Sequence, residues 1–343
     1  MEAPTLDSSK VICESEGLYR VIEVSMDGKT LVTPAYFPAV SSYGVKYSFQ
    51  TLVRLLTAYS YPRILISAYD FHLADSTVKK ALSEEIRAYL EKGCFVFADS
   101  GIYESYWKAD ANWSYELYKA AVGHMNFDFY SSFDVLPTTK EFGRFAKETV
   151  DNILASRKLS SKPGFMPILH GIRPDMLASL VSSFVREYPS LSTFIAIPER
   201  DCGDSLVEKA RTIIKIRKIL DGDGNSNHQR ILHILGCGNP ISLLMYSYCG
   251  ASTFDSLDWV KQAIDPQRLA INDFSHLELT GCQCPVCAGT KRDYTEKVLL
   301  HNLLFYQNHM LRIQTLTRNN EIRQFLSKLV GQNILDKIAL SED

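Results

Sequence analysis

Three cysteines of the 343-residue chain crowd into Cys282-Gln-Cys284-Pro-Val-Cys287, a C-x-C-x-x-C. Three thiolates and one imidazole fill a tetrahedral zinc shell and leave no place for a substrate, so the expected metal is structural. The imidazole is sought downstream in Leu-Leu-His301-Asn-Leu, with His309 and His276 competing for the place. His309 lies two helical turns beyond His301, so those two should not share one site. The other five cysteines (Cys13, Cys94, Cys202, Cys237 and Cys249) are scattered and read as small buried apolar side chains.

Aspartates form the second constellation. Phe97-Ala-Asp99-Ser100-Gly-Ile-Tyr103 follows one apolar run, and Phe254-Asp255-Ser256 interrupts another. A carboxylate inside an apolar strand is costly unless it is paired or functional. Taken alone, Asp99 reads equally as a turn residue beside Gly101, and Asp255 as a buried acceptor. Brought to one site, two carboxylates suit displacement at a sugar carbon: one attacks C1′ and the other handles protons on the leaving group. Asp134, before Val-Leu-Pro137, is a third. Ionised, it accepts two N–H bonds at once, which matches the N1–H and N2–H edge of a guanine; it reads equally as an Asx-turn at the proline.

The elements that must position these groups recur along the chain. Apolar runs lie at Thr33–Val40, Arg63–Asp70, Phe95–Gly101, Phe127–Asp134, Phe165–Gly171, Thr193–Glu199, Arg230–Gly238 and Ser252–Asp258. They do not alternate strictly with polar residues, as befits strands buried on both faces of a parallel sheet. Helical patterns separate most of them, at Thr77–Lys92, Lys140–Leu159, Asp175–Tyr188, Ser205–Leu220 and Pro240–Tyr248. Eight runs with intervening helices predict an α/β fold, a (β/α)8 TIM barrel over 1–275, with a zinc-binding helical subdomain over 276–343; an open doubly wound sheet is the runner-up. In a barrel, chemistry sits at the carboxyl ends of the strands. Here those ends are expected to carry Asp70, Asp99, Asp134, His170, Glu199, Gly236 and Asp255.

Composition narrows the class. The chain is 46% hydrophobic and 22% charged, with a formal net charge of -2. That is globular, and any nucleic-acid binding must use a local basic patch. Lys209, Arg211, Lys215, Arg217 and Lys218 cluster in one helix, a pattern expected of a solvated face; Lys291 and Arg292, after the cysteines, are the better phosphate contacts. No apolar run approaches the roughly 20 residues of a membrane span. The start, Met-Glu-Ala-Pro-Thr-Leu-Asp, lacks the basic and apolar regions of a signal peptide, so a cytoplasmic location is expected.

These residues, in this order, resemble the queuine/archaeosine tRNA-guanine transglycosylase superfamily. Thr33-Pro-Ala-Tyr-Phe-Pro-Ala-Val40 looks like its first strand, and Asp99-Ser-Gly-Ile-Tyr103 like its Asp-Ser-Gly-Gly-Tyr/Phe motif. Leu235-Gly-Cys-Gly-Asn-Pro240 resembles its Met-Gly-Val-Gly-x-Pro, Phe254-Asp255 its nucleophile motif, and the C-x-C-x-x-C with His301 and Asn302 its zinc site. The resemblance implies that Asp255 is the nucleophile, Asp99 the general acid/base and Asp134 the reader of the guanine edge. Ser100 stands within the Asp-Ser-Gly motif. The resemblance further implies that Tyr103 and Leu235 sandwich the base, that Gly236 lets backbone approach it, and that Cys282, Cys284, Cys287 and His301 hold structural Zn2+.

The sequence also departs from the family. His170-Gly171 stands where the family has Gln-Gly, and Ala196-Ile-Pro-Glu199 where it has Gly-Gly-Leu-Ala. Ser256-Leu-Asp-Trp259 replaces the Leu-Pro-Thr-Arg of the bacterial tRNA enzymes, and the Cys287–His301 segment is shorter. Retained chemistry with altered tRNA-facing elements resembles the branch that inserts 7-deazaguanines such as preQ0 into DNA, the deoxypurine-in-DNA protein A branch. That resemblance implies DNA rather than tRNA as polymer, a 7-deazaguanine as incoming base, and partner proteins that deliver the enzyme to DNA. The alternatives are a tRNA enzyme proper and a non-catalytic partner subunit, against which both aspartates argue. A zinc hydrolase barrel would need an open metal position that the cysteine cluster does not supply.

Overall fold

The computed structural model describes residues 8–14, 18–136, 141–222, 230–289 and 292–339. Pro137, Lys140 and Lys291 lie outside them. An antiparallel sheet comes first, β1 (Ser8–Glu14), β2 (Arg20–Met26) and β3 (Lys29–Val32). Eight parallel strands follow: β4 (Ala35–Val40), β5 (Arg63–Ser67), β6 (Phe95–Asp99), β7 (Phe129–Ser131), β8 (Gly164–Met166), β9 (Phe194–Pro198), β10 (Ile231–Leu235) and β11 (Thr253–Ser256). Each of the eight apolar runs contributes one. Their order is β8-β7-β6-β5-β4-β11-β10-β9. The two ends meet: Ile168 bridges Ala196, with Leu169 N–H donating to Ala196 O at 2.9 Å and Ala196 N–H to Pro167 O at 2.8 Å. The protein is a (β/α)8 TIM barrel.

The expected helices form at Ser76–Glu91, Phe142–Ser156, Pro174–Glu187, Leu206–Asp221 and Pro240–Tyr248. Asp75, Ser205 and Asn239 cap three of them by accepting from first-turn N–H groups. Among the described residues no helix is long and apolar enough to cross a membrane.

Side chains alternate between two cores. Ala35, Phe37, Ala39, Leu65, Phe95, Phe97, Phe129, Met166, Ile168, Phe194, Ala196 and Ile231 fill the barrel interior. Tyr36, Ile64, Ile66, Val96, Ala98, Tyr130, Ile195 and Ile197 face the helices instead. The period of two carries chemistry to the mouth. The inward row Phe95, Phe97 ends on Asp99; Ile231 is followed by His233 and Leu235; Met166 and Ile168 lead to His170. Outward Phe254 leaves Asp255 facing in.

The N-terminal sheet closes the opposite end. Ile22, Val24, Met26 and Leu31 join the interior core. Lys29 Nζ donates to Cys94 O at 2.9 Å and to Asp128 at 2.7 Å, both at the amino ends of barrel strands. Nothing in the sequence pattern separated this cap from the barrel.

After β11, the indole of Trp259 is buried and donates to Ala39 O at 2.8 Å. A hairpin, β12 (Gln262–Asp265) and β13 (Ala270–Asp273), leads to the cysteine turn and the long helix Tyr294–Arg318. That helix takes the eighth place in the outer layer: Tyr306 stacks on Tyr36 at 4.0 Å and donates to Gly238 O at 2.8 Å. Leu299, Leu300, Leu303 and Tyr306 belong to the main core, while Ala263, Leu277 and Val298 form a small cluster near the cysteines.

Candidate active site and metal centre

Asp255 is buried, and its Oδ1 accepts from Gly236 N–H at 3.2 Å and meets His233 Nε2 at 3.1 Å. His233 is itself held through Nδ1 by the Thr253 hydroxyl at 2.9 Å. If Nε2 carries the proton toward Asp255, Nδ1 is the acceptor for Thr253. Gly236 has φ +75°, and a Cβ built there meets nothing within 4 Å, so the backbone turns for Asp255 while the space above stays open. His233 and its role were not foreseen. A histidine in the middle of the apolar run Ile231-Leu-His-Ile-Leu235 was the available signal.

Asp99 ends β6, and its Oδ2 accepts from Gly101 N–H at 3.1 Å. Gly101 sits at φ +71° pressed against Tyr69 and Ser67, so no side chain fits there. Burial raises the Asp99 carboxyl well above the ordinary range, reinforced by the charges of Glu104, Asp134 and Asp255. A carboxyl raised in this way holds its proton more readily than an exposed one. Glu104 is buried one turn into the helix Ile102–Trp107 and is raised to about 7 by burial, with Asp70 and Asp134 adding to the shift.

Asp134 and His170 lie beyond the strand ends, in the loops after β7 and β8. Asp134 Oδ1 accepts from the Ser100 hydroxyl, and Oδ2 meets His170 Nε2 at 3.1 Å. His170 Nδ1 meets Asp201 Oδ2 at 3.0 Å, and Gly171 N–H donates to the same oxygen at 3.1 Å. Burial alone would lower the His170 pKa. Hydrogen bonds and charge from Asp134 and Asp201 outweigh it and raise the ring to about 9. The result is an imidazolium clamped between two carboxylates. Each oxygen of Asp134 holds one protein donor and keeps one lone pair for a ligand.

One expected strand-end carboxylate differs. Asp70 sits in the helix Ala68–Leu73, not at a strand end, because β5 stops at Ser67. There it accepts from Ser42 and pairs with Lys108 at 3.3 Å. Glu199 opens a short 3₁₀ turn and is tied by Tyr246 at 2.9 Å and Lys209 at 3.3 Å. Its charge, after burial, helps raise Asp258 to about 6. Tyr103 lies on the helix after Gly101, its ring 5.4 Å from the Arg200 guanidinium, and Leu235 is the half-buried last residue of β10. The basic helix is not simply a solvated face: Arg217 is buried, donating to Asp221 at 2.6 Å and to Arg230 O at 2.7 Å. Arg292 pairs with Glu296 at 3.7 Å.

At the cysteine turn, the donor atoms of Cys282, Cys284, Cys287 and His301 all lie within 4.8 Å of one another. His301 Nδ1 is 3.6 Å from Cys284 Sγ and 3.3 Å from Cys287 Sγ, close to the edge of a tetrahedron around one metal ion. His301 Nε2 is bound to Ile264 O at 2.8 Å, which fixes the ring and presents Nδ1 to the sulfurs. The four residues could hold a metal ion. Asn302 locks the helix to the preceding hairpin, accepting from Ile264 N–H at 3.1 Å and donating to Trp259 O at 2.9 Å and Gln262 O at 2.7 Å. The competitors are elsewhere: His309 binds Pro240 O at 2.9 Å and stacks on Phe305, and His276 is outside the cluster. Cys94, Cys202, Cys237 and Cys249 are buried as expected.

No protein-family model matches the chain. Among curated proteins it is 22% identical over 303 residues to the tRNA-guanine(15) transglycosylase of Methanopyrus kandleri, covering 83% of this chain and 63% of that protein. It is 23% identical over 283 residues to that of Archaeoglobus fulgidus, covering 74% and 55%. For that of Thermococcus onnurineus the figures are 22% over 327 residues, 88% and 53%. The chain thus spans between 53% and 63% of the length of these relatives. Over most of its own length it is similar to tRNA-guanine transglycosylases.

Proposed function

We propose that this protein exchanges a guanine base in a nucleic acid for a 7-deazaguanine, by double displacement through an intermediate linked to Asp255. The observation that carries the reading is the pairing of environments at one barrel mouth. Asp255 is held through one oxygen by Gly236 and His233, while burial and neighbouring charge raise the Asp99 carboxyl. Asp255 Oδ2 attacks C1′, the C1′–N9 bond breaks, and Asp99 gives its proton to the departing guanine. Asp99 then takes a proton from the incoming base, whose nitrogen displaces Asp255 from C1′. Two inversions give net retention at the sugar.

Guanine is held edge-on by the free lone pairs of Asp134, beside Ser100 and the His170 imidazolium, and between Tyr103 and Leu235. The open space over Gly236 admits the base. The donor set of Cys282, Cys284, Cys287 and His301 suits structural zinc, since all four positions are filled by protein and none is left for water.

The polymer is DNA in this reading. Support comes from the replaced segment Ser256-Leu-Asp-Trp259, whose Trp259 is spent on the core, and from the short Cys287–His301 interval. The names of the relatives favour a second reading, exchange in tRNA by the same residues. Incubating the protein with labelled guanine or preQ0 and either tRNA or DNA, at one salt concentration, decides between them. Label in DNA supports the first reading, label in tRNA alone the second. Label in neither, with cell extract added to supply partners, removes both.

A further inference from the structure

Beside the pocket lies an aromatic surface of which the exchange chemistry uses only Tyr103. Trp107 stacks on Tyr43 at 5.6 Å and meets the edges of Tyr103 at 6.0 Å and Tyr106 at 5.5 Å. Tyr43 also packs edge-on against Tyr103 at 5.2 Å. Tyr106 and Trp107 are 59% and 53% exposed, whereas Trp113 and Trp259 are buried. Cations fringe the rings: Lys261 Nζ is 4.3 Å from the Tyr43 centroid, and Arg200 lies over Tyr103. Lys108, the residue after Trp107, bonds Ser42 Oγ at 2.6 Å and remains 38% exposed. Acids lie among these cations: Asp70 is buried and paired with Lys108, Asp201 meets Arg200 at 3.5 Å, and the charges of Asp258 and Glu104 act on Lys261.

Open ring faces beside lysine and arginine suit bases and phosphates together, because every base has a π-face and the cations meet the backbone. The patch is continuous with the pocket through Tyr103, which belongs to both. A carboxylate inside the barrel cannot reach C1′ of a stacked nucleoside, so the target nucleotide must leave the stack. Its neighbour then loses a stacking partner.

We infer that Trp107, with Tyr43 and Tyr106, forms a platform on which the unpaired base next to the target guanosine stacks, while Lys108, Lys261 and Arg200 meet its phosphates. One face of Trp107 is covered by Tyr43, so the platform takes one base there. This inference rests on the nucleic-acid exchange reading for its register, but its binding readout does not need turnover.

The test uses single-stranded oligonucleotides, as DNA and as RNA, with one guanosine and 2-aminopurine on either side of it. Binding to the intact protein should quench the 2-aminopurine at one of the two positions. Trp107→Ala should abolish that quench and weaken binding on the order of tenfold, with Trp107→Phe close to the parent. In exchange assays the KM for the polymer should rise similarly while the KM for the incoming base does not follow. Thermal melting checks that the variants fold, and Tyr106→Ala supplies an independent variant of the same surface. Unchanged affinity and quench in folded Trp107→Ala and Tyr106→Ala overturn the platform, whatever the exchange assay gives. A Trp107-dependent quench without exchange on either polymer keeps the platform and removes the exchange reading alone.

Discussion

At the scale of single residues, the site is a set of acids held in different surroundings. Asp255→Asn removes the attacking oxygen and should abolish exchange with the melting temperature little changed. Near-normal exchange in that variant would remove the nucleophile assignment. Asp99→Asn cannot give or take the proton and should lower kcat by about 10²–10⁴-fold. Stability should fall as pH rises, for two reasons of one sign. The raised pKa of His170 contributes stability fully present below its ordinary 6.5 and lost as pH climbs through about 9. Glu104 is more easily buried protonated, so its preference for the fold is present below 4.5 and lost through about 7. Melting curves between about pH 6 and pH 9.5 should therefore decline. His170→Gln should flatten the upper part and destabilise by roughly 3 kcal/mol at neutral pH, because Asp134 and Asp201 then face each other without the cation. A flat profile in the parent protein contradicts this account.

At the scale of elements, the barrel was legible because each strand is buried on both faces and bounded by glycine, proline or charge. All eight runs became strands. The aspartates of the motifs fell at the mouth because the inward period of two ends on them. What was not legible has physical reasons. The antiparallel cap β1–β3 is joined to the barrel by core packing and by Lys29, and neither leaves a local pattern. Asp70 was misplaced because Ser67 starts a helix by accepting from Asp70 N–H, a cap hidden inside an apolar run. His233 and Asp201 act on other side chains across the mouth, and that pairing exists only in three dimensions. The cysteine turn is the element that a metal would hold. Metal analysis should give about one zinc per chain, and Cys284→Ser should lower metal content and melting temperature together. A stable, active, metal-free protein contradicts a structural zinc.

For the whole molecule, the formal charge of -2 leaves little long-range attraction for a polyanion. Binding of a nucleic acid then depends on local cations and should weaken steeply with salt. Unpaired or mismatched guanine should react at least as well as paired guanine, since extrusion costs a few kcal/mol in a perfect duplex. An isolated protein that works on duplex and rejects every unpaired guanine contradicts a flipped substrate. Exchange by the proposed route turns on one bond, between Asp255 and C1′ of the nucleic acid. The most direct measurement is to mix protein with labelled guanine-containing polymer, without incoming base, denature, and look for polymer attached to protein. The expected result is an adduct that maps to Asp255, that is lost in Asp255→Asn, and that is discharged by adding guanine or a 7-deazaguanine. Base exchange with no such adduct at any time, or an adduct that survives in Asp255→Asn, would contradict it.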